Sequence, residues 1–190
     1  MFKLFILLAA FWAIYVNAHA VTTNPQRELQ EGEIVIHQLA IAQVIEKSDE
    51  KTYLIKTLNH LNSVMTVDRE ELAIMDGCVD EVCVKERLFD VGYLRYVRLR
   101  GFTYNSDFVV DTSEGWNGFY QPFKNNLART SGCHPSARRK ICVGDKVQDF
   151  TGDVMTIIGI HDGDKLVLRS NDGWNSYKTF VDEESLRVVE

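Results

Sequence analysis

Four cysteines are the residues of this 190-residue chain best suited to chemistry, and they fall into two local pairs. Four residues separate Cys78 from Cys83, and eight separate Cys133 from Cys142. An even number of cysteines in an exported chain favours disulfides, whereas structural zinc sites usually space paired ligands by roughly two to four residues. The wider gap therefore argues against a four-cysteine zinc site, while the spacing alone leaves every disulfide connectivity open.

Catalytic motifs are not found in the sequence. A cysteine nucleophile needs a free thiolate, and His134 lies beside Cys133, which we expect to be oxidised. The glycine-rich phosphate loop, the G-x-S-x-G elbow and the H-E-x-x-H zinc motif do not occur. Carboxylates are numerous, but nothing singles out a hydrolytic pair. We therefore predict a protein that is not an enzyme.

Two short stretches, Asp162-Gly-Asp164 and Asn171-Asp-Gly173, look like fragments of calcium loops. An EF-hand, however, needs about five or six oxygen ligands and a closing glutamate. Turn chemistry explains both stretches, because Asp, Asn and Gly are the usual residues of tight turns. We expect no metal and no cofactor.

Aromatic residues in the C-terminal half are the clearest indication of binding. Trp116 and Tyr120 lie in one stretch, and Trp174 and Tyr177 lie in a similar one. Trp and Tyr are favoured at interfaces because they combine a large apolar area with a polar group. The alternative is that these rings fill a core. We expect the two tryptophans to be core residues more than the two tyrosines.

A basic cluster that contains Arg138 and Arg139 lies between Cys133 and Cys142. It is a candidate site for an anionic polymer such as a cell-wall glycan, or for lipid head groups; the alternative is a solvated loop. The whole chain is acidic, with 27 Asp and Glu against 21 Lys and Arg. Because nucleic-acid binding needs clustered positive charge, we expect no nucleic-acid partner.

The N-terminus has the layout of a secretory signal peptide. Lys3 supplies a positive charge, Leu4 to Val16 is an uncharged apolar run, and Ala18 and Ala20 are the small residues that signal peptidase prefers. A membrane-spanning helix needs about 20 apolar residues, more than this run contains. The pattern predicts cleavage of residues 1–20 after Ala20 or Ala18, and a periplasmic or secreted chain without a membrane span.

Three repeats follow, which we call the first (21–76), second (77–131) and third (132–190) segments. Cys83-Val-Lys-Glu-Arg-Leu88 aligns with Cys142-Val-Gly-Asp-Lys-Val147, whereas the first segment is degenerate and lacks cysteines. Each cysteine pair opens its segment just behind a glycine. The repeat therefore favours the local disulfides Cys78–Cys83 and Cys133–Cys142.

The pattern within a segment is that of β-strands. In the third segment, Lys146–Phe150 alternates apolar and polar residues, Val154–Ile160 is β-branched and apolar, and an Asp-Gly hairpin follows. Short strands joined by Gly, Asp and Asn turns indicate a small barrel or sandwich. The G-D-x-V opening, the β-branched second strand, the hairpin and a turn before the last strand resemble SH3-like barrels of bacterial SH3 and Tudor/KOW type.

The resemblance implies an all-β fold of three tandem SH3-like small five-stranded barrels. SH3-like barrels bind peptides in aromatic-lined grooves, which implies an exported binding module for a peptide, peptidoglycan or envelope protein. The alternatives are a structural or inhibitory envelope protein without a small ligand, and a small secreted hydrolase. A binder should expose aromatic residues at matching places in the second and third segments. The sequence leaves the ligand and the oligomeric state open.

Overall fold

A computed structural model describes residues 22–112, 118–135, 140–161, 165–171 and 176–189. Within these residues the strands pair antiparallel, and the only helical elements are short 3₁₀ turns, so the predicted all-β fold is confirmed. No helix in the described part of the chain is long and apolar enough to cross a membrane.

The strands have the following bounds. The first segment contains β1 (Ile34–His37), β2 (Ala40–Lys47), β3 (Thr52–Thr57), β4 (Val64–Asp68), a 3₁₀ turn (Arg69–Glu71) and β5 (Leu72–Ile74). The second contains β6 (Cys78–Val79), β7 (Val82–Cys83), β8 (Arg87–Asp90), β9 (Arg95–Phe102), β10 (Phe108–Thr112), β11 (Phe119–Tyr120), a 3₁₀ turn (Lys124–Asn126) and β12 (Leu127–Arg129). The third contains β13 (Cys133–Pro135), β14 (Lys140–Cys142), β15 (Lys146–Gln148), β16 (Val154–His161), β17 (Lys165–Ser170), β18 (Tyr177–Asp182), a 3₁₀ turn (Glu183–Ser185) and β19 (Arg187–Val188).

One order of strand pairing occurs in all three segments: β5-β1-β2-β3-β4, β12-β8-β9-β10-β11 and β19-β15-β16-β17-β18. The segments are joined where Ile74 of β5 pairs with Phe102 of β9, and where Arg129 of β12 pairs with Ile160 of β16. Hydrogen bonding therefore runs through one large sheet, and the sheet is not divided into three separate ones as tandem barrels would lead one to expect.

Apolar residues at alternate positions of the strands face inward and build the core. The first and second segments share one contiguous cluster, which includes Ile55, Leu72 and Leu99, each fully buried. The third segment has its own cluster around Ile157 and Leu168.

A glycine stands at both places where one segment meets the next. Gly101 pairs with Val109 and Gly159 pairs with Val167, each beside a register shift in the long second strand of its segment. A Cβ atom on Gly101 would lie 2.3 Å from the carbonyl oxygen of Ile74. One on Gly159 would lie 2.9 Å from the Cβ atom of Ala128. The corresponding residue of the first segment is the exposed Glu46, which pairs with Leu54 and meets no preceding segment.

The stretch before β1 is attached to the first segment and to β6. Thr23 donates its backbone N–H to the carbonyl of Cys78 at 2.8 Å, and Leu29 is buried in the shared core. The Arg69 guanidinium, also buried, donates to the carbonyls of Pro25 and Arg27. Because burial disfavours the charged form, desolvation lowers the pKa of Arg69.

The two predicted disulfides are confirmed. Cys78–Cys83 closes the β6–β7 ribbon, and Cys133–Cys142 closes the β13–β14 ribbon. Such short loops place their stabilisation at the low end of the usual range of about 2–4 kcal/mol.

Candidate ligand-binding surfaces

Two of the predicted binding residues, Tyr120 and Tyr177, belong to the described part of the chain. Trp116, Trp174, Arg138 and Arg139 lie outside it, so their role in binding stays a prediction.

Tyr120 lies in β11 and is fixed by a buried carboxylate. Its hydroxyl donates to Oδ2 of Asp90 at 2.6 Å, while Oδ1 of Asp90 accepts the backbone N–H groups of Gly92 and Tyr93. Burial, together with the hydrogen bond to Asp90, raises the pKa of Tyr120 above its ordinary value. The phenol thus stays neutral over the physiological range and keeps its ring in one orientation.

A second tyrosine and an arginine complete this group. The ring of Tyr93 meets the Tyr120 ring edge to face, with their centroids 5.7 Å apart. The Arg95 guanidinium carbon lies 4.7 Å and 4.9 Å from the centroids of the Tyr93 and Tyr120 rings. We call Asp90, Tyr93, Arg95 and Tyr120 the tyrosine–arginine cluster. Tyr93 is 66% exposed, so the cluster presents an ordered aromatic ring to solvent.

Tyr177 lies in β18, half-buried where the second and third segments meet. Its ring centroid is 5.2 Å from that of Phe89, which in turn meets Tyr96 edge to face at 5.2 Å. The Arg87 guanidinium carbon lies 3.8 Å from the centroid of Tyr96. These four side chains, which we call the junction row, run from the interior of the contact between segments out to a charged end.

Tyr120 and Tyr177 do not occupy matching positions. Tyr120 pairs with Val110, and the residue in the equivalent place of the third segment is Lys178, which pairs with Leu168. The residue equivalent to Tyr177 is Phe119. The predicted exposure of aromatic residues at matching places therefore does not apply to this pair of tyrosines.

Lys178 nevertheless repeats the polar contact of Tyr120 in another form. Its ammonium group forms a salt bridge with Asp149, which occupies the place of Asp90 at the end of the first sheet strand. That salt bridge, and hydrogen bonds from Thr151, lower the pKa of Asp149 well below its ordinary value. In both segments an aspartate at this position contacts the outermost strand of the five, which is β11 in the second segment and β18 in the third. The contact is made to a phenol in β11 and to an ammonium group in β18.

Sequence reasoning missed Tyr93, Arg95, Arg87 and Tyr96. The available signal was the stretch 93–98, Tyr-Leu-Arg-Tyr-Val-Arg, which contains two Tyr and two Arg. Neighbouring residues of a strand face opposite sides of the sheet. Arg95 accordingly belongs to the tyrosine–arginine cluster on one side and Tyr96 to the junction row on the other.

Within the described residues, no three His, Cys, Asp or Glu side chains are grouped so as to hold a metal ion. His134 is buried, and its Nδ1 atom lies 3.2 Å from a carboxylate oxygen of Glu183, which connects the β13–β14 ribbon to the last 3₁₀ turn. This contact joins elements of the third segment.

Comparison with known proteins adds no relative. No protein-family model matches the chain, and no curated protein matches it significantly.

Proposed function

We propose that this chain is an exported, non-enzymatic binding module built of three tandem SH3-like barrels, which holds a peptide, peptidoglycan or envelope-protein ligand against the tyrosine–arginine cluster. The observation that carries the proposal is an exposed tyrosine ring held in place by an arginine and a second tyrosine.

The order of strand pairing supports the barrel assignment. In each segment the last strand follows a 3₁₀ turn. It pairs with the first strand of the five-stranded order, so that β5 pairs with β1, β12 with β8 and β19 with β15, and the other strands pair in sequence. A small barrel of this kind has a modest core, and the disulfide ribbons at the start of two segments supplement it. Two disulfides are compatible with an extracytoplasmic location, as the signal-peptide pattern of residues 1–20 predicts.

The cluster suits a ligand with an apolar or planar group. A tyrosine side chain has only two rotatable angles, so that it offers a large contact area at a small cost in conformational entropy. The contacts of Tyr93 with Arg95 and Tyr120 reduce that cost further, since the ring is already ordered. A proline or aliphatic group stacked on Tyr93 would thus bury area on a surface that is prepared for it.

A second candidate function is that of a rigid spacer. Apolar clusters fill both contacts between segments, and strand pairing runs across each of them. Such contacts hold the segments in a fixed relation, which would serve an envelope protein whose role is to set a distance.

Retention on cell-wall sacculi and on immobilised envelope proteins tests the proposal. The oxidised chain from Val21 onward would be compared with its Tyr93→Ala and Leu61→Ala variants. Leu61 is the matched control, because it is 67% exposed and lies in the first segment, away from the cluster. We expect Tyr93→Ala to lose at least about tenfold in affinity, as residues at the centre of an interface commonly do, and Leu61→Ala to bind like the unaltered chain.

Other outcomes are equally informative. Equal retention of Tyr93→Ala and the unaltered chain would overturn the assignment of the site. Failure of the unaltered chain to retain any envelope component would favour the spacer.

A further inference from the structure

We infer that the cleft between the second and third segments is a separate site for an anionic group, a carboxylate or a phosphate, carried by an extended ligand. It differs from the tyrosine–arginine cluster in place and in ligand chemistry, and it does not depend on that proposal.

The cleft has a volume of about 450 Å³. One wall is the outer end of the junction row, where the exposed Arg87 lies over the Tyr96 ring, and the remainder combines Thr130, Ser131 and Thr156 with aliphatic residues such as Ile157. The Thr130 hydroxyl donates to the carbonyl of Arg87 at 2.5 Å, and the Thr156 hydroxyl donates to Oδ1 of Asn171 at 2.9 Å. The cleft therefore has a cation beside an aromatic face, and Ser131 is the lining residue whose hydroxyl is not engaged by another group of the described residues.

A second unneutralised arginine lies next to the first. Arg87 of β8 and Arg98 of β9 are directly opposite each other in the strand register, and both are exposed. Like charges at such positions destabilise a sheet. Neither arginine forms a salt bridge with a carboxylate of the described residues. Asp111, which is opposite Arg98 in the β9–β10 register, is paired with Arg100 at 2.5 Å. Arg98 does not line the cleft, but an anion held there by Arg87 would offset the repulsion between the two arginines.

The fold itself does not require these residues. At the places of Arg87, Tyr96 and Arg98, the first segment has Ile34, Ile41 and Gln43, in the same strand register and next to an equivalent contact between segments. Two arginines and a tyrosine in the second segment are thus an addition to the structure, and their chemistry indicates a ligand.

The arrangement favours an oxyanion joined to an apolar or planar group. A guanidinium group donates two parallel hydrogen bonds to a carboxylate or a phosphate. The Arg87 guanidinium carbon lies 3.8 Å from the Tyr96 centroid, and the guanidinium donates no hydrogen bond to another group of the described residues, so that its N–H groups can serve such a pair. The ring and the buried aliphatic side chains beyond it would accept the apolar portion of the ligand.

Fluorescence anisotropy with two labelled probes tests this inference. A hexaglutamate peptide presents carboxylates and a short polyphosphate presents phosphates, which distinguishes the two sources of negative charge. The variants are Arg87→Gln and Arg98→Gln, and the control is Arg187→Gln, which removes an exposed arginine from β19 in the third segment. All three change the net charge equally, so that a general electrostatic effect is the same in each.

We expect one probe to bind, and the affinity to fall at least about tenfold in Arg87→Gln and by a smaller factor in Arg98→Gln, while Arg187→Gln loses no more than about twofold. On titration with the probe that binds, the amide chemical shifts that change should be those of Ser131, Gly144 and Thr156. Arg98→Gln should unfold at the same temperature as the unaltered chain or higher, because a repulsion has been removed. Equal loss in all three variants, or no binding of either probe, would overturn the inference.

Discussion

The two contacts between segments have the same backbone and different side chains. The first is aliphatic at its centre, with Ile36, Ala73 and Val109 buried and Phe119 at its margin. In the second, the equivalents of Ile36 and Phe119 are the aromatic residues Phe89 and Tyr177. Equivalent positions therefore tolerate either chemistry, provided that they are apolar and that a glycine admits the neighbouring strand.

This difference separates what the fold needs from what it leaves free. The centre of the aliphatic contact contains no charged group among the described residues, although the Arg69 guanidinium carbon lies 5.4 Å from the Tyr104 ring centroid elsewhere between the same two segments. The same holds for the centre of the aromatic contact, which extends through Tyr96 to Arg87 at a solvent-facing cleft. The additional side chains of the second contact are thus the ones to examine for function. Substitutions at the two contacts should therefore differ in their effects on stability.

Truncation of Phe89 should have the largest effect. Its side chain is fully buried and touches both Tyr96 and Tyr177, so Phe89→Ala should lower the free energy of unfolding by about 3–5 kcal/mol. Hydrogen exchange should show lost protection at Val167 in the third segment before Ile55 in the first. Uniform loss across both segments would mean that the second contact is no separate unit of stability.

Addition of one methyl group at the first contact should have the next largest effect. In Gly101→Ala, the new Cβ atom meets the carbonyl oxygen of Ile74, and overpacking against backbone should cost about 1–3 kcal/mol in urea unfolding. Gly118→Ala is the control, because no atom of the described residues lies within 4 Å of its Cβ position. If both variants unfolded alike, the close approach of β5 to β9 would be irrelevant to stability.

Replacement of Tyr177 tests whether its ring contributes to packing. Tyr177→Leu keeps apolar volume and loses the aromatic pair with Phe89, for which we expect a cost of about 0.5–1.5 kcal/mol. Tyr177→Phe should be close to neutral. Thermal unfolding with both variants separates ring packing from the hydroxyl group, and a larger loss in Tyr177→Phe would contradict the packing role.

Acid should reveal the smallest difference, between the polar contacts of the second and third segments. Lys178 lowers the pKa of Asp149 in the folded state, so the stabilisation is present above the unfolded pKa of about 4 and is lost as the pH falls toward the folded value. In Lys178→Met, the free energy of unfolding should depend less on pH between about pH 5 and pH 2. An unchanged slope in urea titrations would show that the salt bridge is not thermodynamically significant.

The local structure could be predicted from the sequence. Hairpin residues, alternating strands and the position of each cysteine pair behind a glycine predicted the all-β fold and both disulfides, because turns and ribbons depend on neighbours in the chain. The continuous sheet was not predictable, because one residue pair, such as Ile74 with Phe102, is enough to join two segments and leaves no periodic signal.

The candidate site was harder to predict for a related reason. Aligning the segments on Trp116 and Trp174 brings Tyr120 within one position of Tyr177, but a shift of one residue moves a side chain to the opposite face of a sheet. Tyr120 thus faces Asp90, and Tyr177 faces Phe89. The strand register decides which face of the sheet each tyrosine occupies. It depends on bulges and partner strands, which cannot be read from the sequence.

The attachment of the N-terminal stretch also sets an order on synthesis. The hydrogen bond of Pro25 cannot form until Arg69, 44 residues later in the chain, has been synthesised. The hydrogen bond of Thr23 likewise requires Cys78, 55 residues later. Residues 22–29 therefore cannot complete their contacts until Cys78, at the start of the cysteine ribbon of the second segment, has been synthesised.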